Sequence, residues 1–215
     1  MSIDKSGSQS LDALFSRARL VHRRNFLTAG AGLAAAALAG SETAAKPAGS
    51  TSRAKPAITA QDREHMALAI QTMRQAGIVD KTGGPFGAVV VRDGEVLAAS
   101  GNSVLRDNDP SAHAEVNAIR MACKKVGAPN LRGATLFTSC ECCPMCYATA
   151  YWARISKIYY AAAWTDYADL FDDSNISVDM KKPYPQRVLH PQQMMQKEAQ
   201  AVWLEFRKLP DRAKY

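Results

Sequence analysis

No run of this sequence is both long and apolar enough to cross a bilayer. The best candidate, residues 26–39, is short, and Gly and Ala dilute it. A dense basic stripe is also missing. The formal charge is +7. Residues 1–39 hold Lys5, Arg17, Arg19, Arg23 and Arg24 against Asp4 and Asp12, so they carry +3 (5 − 2) and leave +4 (7 − 3) for the rest. That is too mild for a nucleic-acid partner, which a clustered basic face would mark. Nor is there a disulfide framework. The chain has five cysteines, an odd number, and Cys140, Cys142, Cys143 and Cys146 fall within one short stretch. A framework would be spread along the chain. Internal repeats are absent as well. The apolar fraction of 47% is ordinary for a globular protein, and 215 residues suggest one domain with an appendage.

The appendage is N-terminal. Arg23-Arg24-Asn25-Phe26-Leu27 precedes an Ala/Gly-rich run that ends at Ala37-Leu38-Ala39. A charged segment, a modest apolar segment and an A-x-A site describe a signal peptide over residues 1–39. The paired arginines before x-Phe-Leu resemble a twin-arginine signal. Engagement of the twin-arginine export machinery, a periplasmic location and no stable membrane association after cleavage are the expectations. That route carries folded proteins, and metal-bound thiolates are shielded from the oxidation that bare thiols meet outside the cytoplasm. Residues 40–56, rich in Ala, Ser, Thr, Lys and Pro, read as a linker.

Residues 57–215 read as the folded domain. Thr59 with Asp62 predicts an N-cap and a helix over 60–75, with Met66, Ile70 and Met73 buried and Gly77 as its stop. Residues 88–92 and 96–100 predict two strands joined at Asp93-Gly94. Asn102, just beyond, reads locally as a turn residue. A helix is predicted from Ala112 to Lys125 with Val116, Ile119 and Ala122 inward, so that His113 and Glu115 share its first turn. A strand over 134–139 follows. Pro144 then opens a helix whose first turn Cys143 and Cys146 bracket. After another strand at 157–162, an amphipathic helix is predicted over 193–209, with Met194, Ala201, Leu204 and Phe206 on its buried side. A hairpin followed by strand–helix alternation predicts an α/β fold, a three-layer α/β/α domain with a mixed central sheet.

Two stretches carry the chemistry: His113-Ala114-Glu115 and Cys143-Pro144-Met145-Cys146. One imidazole and two thiols suit Zn2+ at roughly 2.0–2.3 Å and leave a fourth position for water. Glu115, two residues from the imidazole, is an acid/base candidate able to move a proton from water to a ring nitrogen and a leaving amine. Each stretch alone has a duller reading. His113 is ordinarily a cap or a surface residue, and Cys-x-x-Cys can be a redox pair. A structural zinc could recruit Cys140 or Cys142. A redox pair does not explain His-x-Glu, and a structural site leaves no open position, so a catalytic zinc accounts for most of the pattern.

This pattern resembles the cytidine-deaminase-like superfamily of zinc nucleobase deaminases. Longer stretches resemble the small bacterial guanine deaminases of that fold. They are Gly83-Gly84-Pro85-Phe86-Gly87-Ala88, Asn108-Asp109-Pro110-Ser111-Ala112-His113-Ala114-Glu115, Ala118-Ile119-Arg120, Thr138-Ser139-Cys140-Glu141, Cys143-Pro144-Met145-Cys146 and Tyr151-Trp152-Ala153-Arg154. The likeness continues through Phe171-Asp172-Asp173-Ser174 to Tyr215. It implies Zn2+ on His113, Cys143 and Cys146, and a proton shuttle at Glu115. It implies that Asn102 and the Ala114 backbone N–H hold the polar edge of a small-molecule base or nucleoside, and that Phe86 and Trp152 line or stack against it. It also implies a homodimer that exchanges C-terminal segments, with Asp173 assisting proton transfer and Tyr215 closing the pocket. The expected reaction is hydrolysis of guanine to xanthine and ammonia. Guanosine, cytosine or an aminotriazine are alternative substrates, and a non-catalytic periplasmic zinc or thiol protein is the alternative of another class. The chain departs from this family in three places. Cys142 replaces a proline, Trp164 replaces a polar residue that is often histidine, and one residue is missing before Phe171.

Overall fold

A computed structural model describes residues 57–171 and 174–213. The expected signal peptide and linker, and the expected site residues Asp173 and Tyr215, lie outside the described residues. Helix α1 spans Ala60–Arg74 and is opened by the expected cap. Thr59 Oγ1 accepts from the Asp62 N–H at 3.0 Å, and Asp62 Oδ2 accepts from the Thr59 N–H at 2.9 Å. Strands β1 (Gly87–Arg92) and β2 (Glu95–Gly101) form the predicted hairpin. Its two turn residues, Asp93 and Gly94, have φ of 53° and 80°, as the commonest two-residue hairpin turn demands. A short helix α2 (Val104–Asp107) leads to α3 (Ala114–Val126). Then come β3 (Thr135–Cys140), α4 (Pro144–Trp152), β4 (Lys157–Ala162), α5 (Ser174–Met180) and α6 (Gln196–Lys208). Among these helices, none is long and apolar enough to cross a membrane.

The sheet order is β2-β1-β3-β4. β1 is antiparallel to both β2 and β3, while β4 is parallel to β3, so the sheet is mixed. Alternation along β1 assigns the two faces. Ala88 and Val90, with Leu136 of β3, pack against Ala118, Ile119 and Ala122 of α3 and against Ala150 of α4. Val89 and Val91, with Phe137, pack against Ala69 of α1. Helices therefore cover both faces, as a three-layer domain requires. Each fully buried Val, Leu or Phe here contributes about 1.5–3 kcal/mol.

Topology also chooses the end at which a site can form. Because β1 runs against β2 and β3, its start lies beside their ends: Gly87 pairs with Gly101, and Ala88 with Thr138. Parallel β4 ends there too, with Cys140 opposite Ala162. The segments carrying Phe86, Asn102, Cys143 and Tyr167 thus leave the sheet at one edge.

Four expectations need correction. Ile70 is 46% exposed, because the stripe facing the sheet is centred on Ala69 and its neighbour turns by about 100°. Gly77 does not stop the helix, which widens into a π turn over Gln75–Val79. A Cβ on Gly77 would lie 2.4 Å from Pro85 Cα, so its smallness serves packing. The third helix begins at Ala114, and His113 precedes it as the N-cap. In α6 no residue is buried; Met194, Ala201 and Leu204 are exposed and only Phe206 is half-covered. The periodicity of that helix is real, but no other part of the described chain covers its apolar side.

Candidate active site

Two helix N-termini meet at the shared edge of the sheet. His113 is the N-cap of α3 and Cys143 the N-cap of α4, with Pro144 at the first helical position. First-turn amides have no intrahelical acceptor, and both helix dipoles put positive potential where thiolates would sit. Cys146, one turn into α4, is fully buried, and Cys143 is nearly so. His113 Nδ1 lies 3.7 Å from Cys143 Sγ and 3.5 Å from Cys146 Sγ. All three donor atoms fall within 4.8 Å of one another. Ligands about 2.0 Å (nitrogen) and 2.3 Å (sulfur) from a tetrahedral ion stand about 3.6 Å apart. The triad therefore fits zinc in donor type and in spacing, and it presents three ligands, one short of a closed tetrahedron.

The thiols are electrostatically divided. Cys146 donates to the Cys143 sulfur, and together with His113 this pulls Cys143 down to about 4. The same hydrogen bond, followed by burial, pushes Cys146 far above an ordinary thiol. Without metal the pair keeps one proton between them, and metal binding displaces it. Cys142 is not part of the triad. Its thiol is pushed up, first by burial and then by the neighbouring Glu115 charge, and it lies outside the group of donor atoms within 4.8 Å of one another that His113, Cys143 and Cys146 form.

Glu115 lies one residue inside α3 and is only 5% exposed. Burial raises its pKa, against the opposing pull of its own backbone N–H and of Cys146. Thr138 Oγ1 donates to Glu115 Oε1 at 3.3 Å. Burial thus favours the protonated carboxyl over the carboxylate, the direction that an acid/base in a water-poor site needs.

Above this floor lies a cavity of 420 Å³. His113, Glu115 and Cys143 reach it from below, and Asn102 and Glu141 add polar edges. Its walls are Gly83-Gly84-Pro85-Phe86, Val104, Leu105, Tyr167 and Phe171. Phe86 packs edge-on against Tyr167 (ring centroids 5.7 Å apart) and Phe171 (5.2 Å). Asn102 is both the turn residue that its local sequence suggests and a cavity residue. Its Oδ1 accepts from the Val104 N–H at 3.1 Å, and Gly83 packs so closely that a Cβ there would fall 1.9 Å from Oδ1. Ala114 is fully buried at the first position of α3, so its N–H is among the amides without an intrahelical acceptor.

His113, Cys143, Cys146, Glu115, Asn102 and Phe86 are therefore brought together. Trp152 is not. It ends α4, is 63% exposed and is absent from the cavity wall. The helix rise from Cys143 carries it roughly 13 Å away. Reading the sequence missed Tyr167. Its signal was an aromatic pair, Tyr167 and Phe171, four residues apart in a stretch that reads as acidic and polar.

Residues 59–162 match the family described as the cytidine and deoxycytidylate deaminase zinc-binding region. Over 145 residues the chain is 43% identical to guanine deaminase of Bacillus subtilis, covering 67% of this chain and 93% of that one. Over 102 residues it is 47% identical to the tRNA-specific adenosine deaminase of Agrobacterium fabrum, covering 47% of this chain and 66% of that one. An X-ray structure of guanine deaminase from Bacillus subtilis matches with a TM-score of 0.68 at 41% identity, covering 71% of this chain and 98% of that chain.

Proposed function

The chain belongs to the cytidine-deaminase-like zinc deaminases, which are aminohydrolases of bases and nucleosides, and on that footing we propose that it hydrolyses guanine to xanthine and ammonia. One observation carries the reading: a buried Glu115 and an open three-ligand metal triad form the floor of an aromatic-walled cavity sized for a planar base. The likeness to guanine deaminase runs through nearly the whole of that relative and supports the choice of base.

Zinc, when bound by His113, Cys143 and Cys146, supplies Lewis-acid activation of water. The remaining chemistry belongs to the side chains. Glu115 accepts a proton from the attacking water and returns it to the ring nitrogen, then carries the second proton to the departing amine. Water and the C–NH₂ group thereby become C=O and NH₃, and no redox partner is needed. Burial of Glu115 favours its protonated form, which helps it to accept each proton before passing it on. Phe86 and its edge-on neighbours Tyr167 and Phe171 flank the ring plane and exclude bulk water. Asn102 and the Ala114 N–H give hydrogen bonds to the base's polar edge.

In the same reading Asp173 assists proton transfer to the leaving amine, and Tyr215 covers the cavity as part of a C-terminal segment exchanged within a homodimer. The uncovered apolar residues of α6, Val202, Trp203 and Leu204, support an intersubunit role for that segment. The paired arginines and A-x-A site in residues 1–39 support export to the periplasm through the twin-arginine route.

The deciding experiment is ammonia release by zinc-loaded protein from guanine, guanosine, cytosine, adenine and an aminotriazine. Turnover confined to guanine is the expected result. Preference for another amine would replace the substrate and keep the chemistry, and silence across the panel with zinc bound would sink the reading.

A further inference from the structure

We propose that Thr82 is a positioning residue for the base: its side-chain hydroxyl holds Asn102 in place above the metal triad. The proposal rests on the reading that Asn102 receives the edge of the base. Thr82 follows the π turn, and that turn creates its setting. The Asp80 N–H donates to Gln75 O at 2.8 Å, where an α-helix would send it to Ala76 O. The Ala76 carbonyl is left for the Thr82 N–H, which reaches it at 2.9 Å. Thr82 O in turn accepts from the N–H groups of Leu105 and Arg106, both at 3.0 Å. With its backbone held by the π turn on one side and α2 on the other, Thr82 directs its hydroxyl to Asn102 O at 2.6 Å.

Asn102 is thereby anchored at three points. Its N–H donates to Phe86 O at 3.0 Å, its carbonyl accepts from Thr82, and its Oδ1 accepts from the Val104 N–H. The last contact fixes the amide orientation, because a backbone N–H can only donate and must meet the oxygen. The Asn102 NH₂ is left with its hydrogens, and none of the described residues accepts them. Asn102 therefore faces the cavity as a donor, suited to an acceptor on the base. Removing the Thr82 hydroxyl strips a buried carbonyl of its partner and frees the strand end that carries this donor. The metal triad has its own ties: the His113 N–H donates to Ser111 O at 2.8 Å, His113 O accepts from the Asn117 N–H of α3 at 2.9 Å, and Cys143 O accepts from the Tyr147 N–H of α4 at 3.0 Å. A contact made equally by bound substrate and transition state moves KM and spares kcat.

The test compares Thr82→Val, Thr82→Ala and Thr82→Ser with wild type, using the base that the wild type hydrolyses best. Val keeps the shape and removes the hydroxyl, Ala removes it without adding a methyl, and Ser restores it. The proposal expects KM to rise about tenfold in the Val and Ala variants, with kcat within about twofold, zinc content unchanged, and Ser close to wild type. In an Asn102→Ala background, Thr82→Val should have no further effect on KM. Equal impairment of Val and Ser, an unchanged KM in folded Val or Ala protein, or a full effect in the Asn102→Ala background would each overturn it. An unchanged KM in Asn102→Ala itself would overturn the Asn102 reading, and a wild type silent on every base would overturn the proposed function.

Discussion

Gly83→Ala is the sharpest available probe of how the cavity is built. An added Cβ would stand 1.9 Å from Asn102 Oδ1 and 2.9 Å from Asn102 Cγ. Ordinary van der Waals contact begins at 3.4 Å, so the two groups must separate by about 1.5 Å. Asn102 cannot yield freely. Its Oδ1 is held by the Val104 N–H, and its backbone is fixed by Phe86 and Thr82. Either the Asn102 amide swings off Val104 and leaves its position above the triad, or the Gly83-Gly84-Pro85 wall moves outward. Displacement of a binding group by 1 Å or more lowers kcat/KM about 100-fold, and overpacking of this kind costs about 1–3 kcal/mol of stability. His113, Cys143 and Cys146 are untouched, so one zinc per chain is expected to remain. Steady-state kinetics, metal analysis and thermal unfolding on one preparation read all three quantities. A folded variant with kcat/KM within about threefold of wild type would refute the claim that Gly83 is required by contact with Asn102.

Glu115→Gln keeps the size and burial of the side chain and removes the proton carrier. A kcat lower by about 10²–10⁴ with full zinc content is expected, and an active variant would remove Glu115 from the mechanism. Chelation should expose Cys143 and Cys146 to a thiol reagent, lower the unfolding temperature and abolish turnover; unchanged thiol titration after metal loss would refute the triad. Asp107 is held at about 2, first by its hydrogen bond from Arg106 and then by Ser103. Its contribution to stability is present above the ordinary aspartate range and is lost as pH falls through about 2. Asp107→Asn should therefore unfold more readily at neutral pH and lose less between pH 4 and 2 than wild type, as followed by thermal melts across that window.

Local pattern carried much of the fold. The Thr59–Asp62 cap, the Asp93-Gly94 turn and the Val116, Ile119 and Ala122 stripe depend on interactions within a few residues, so sequence spacing reveals them. The metal triad was legible for a similar reason, since Cys143 and Cys146 lie within one helical turn. Failures arose where a distant neighbour decided the outcome. Gly77 looks like a helix stop until Pro85 is seen against it. Asn102 looks like a turn residue, and it is one; only the neighbouring Phe86, Gly83 and Thr82 segments make it a wall of the cavity. Trp152 belongs to a run of residues shared with a family, but it ends α4, nine residues along from the Cys143 cap, and the length of the helix carries it away from the site.

By itself, then, the sequence determined the ligand types, the acid/base beside them and the alternation of strands and helices, because these follow from residue chemistry and from periods of two or about 3.6. Tertiary structure alone decided which of those residues meet. Antiparallel β1 brings its start to the ends of β2 and β3, and parallel β4 sends Tyr167 and Phe171 back over the same edge. The burial that raises Glu115, the division of the proton between two thiols and the fixed orientation of the Asn102 amide all follow from that convergence. They depend on distances between segments far apart in the chain, and local spacing does not contain those distances.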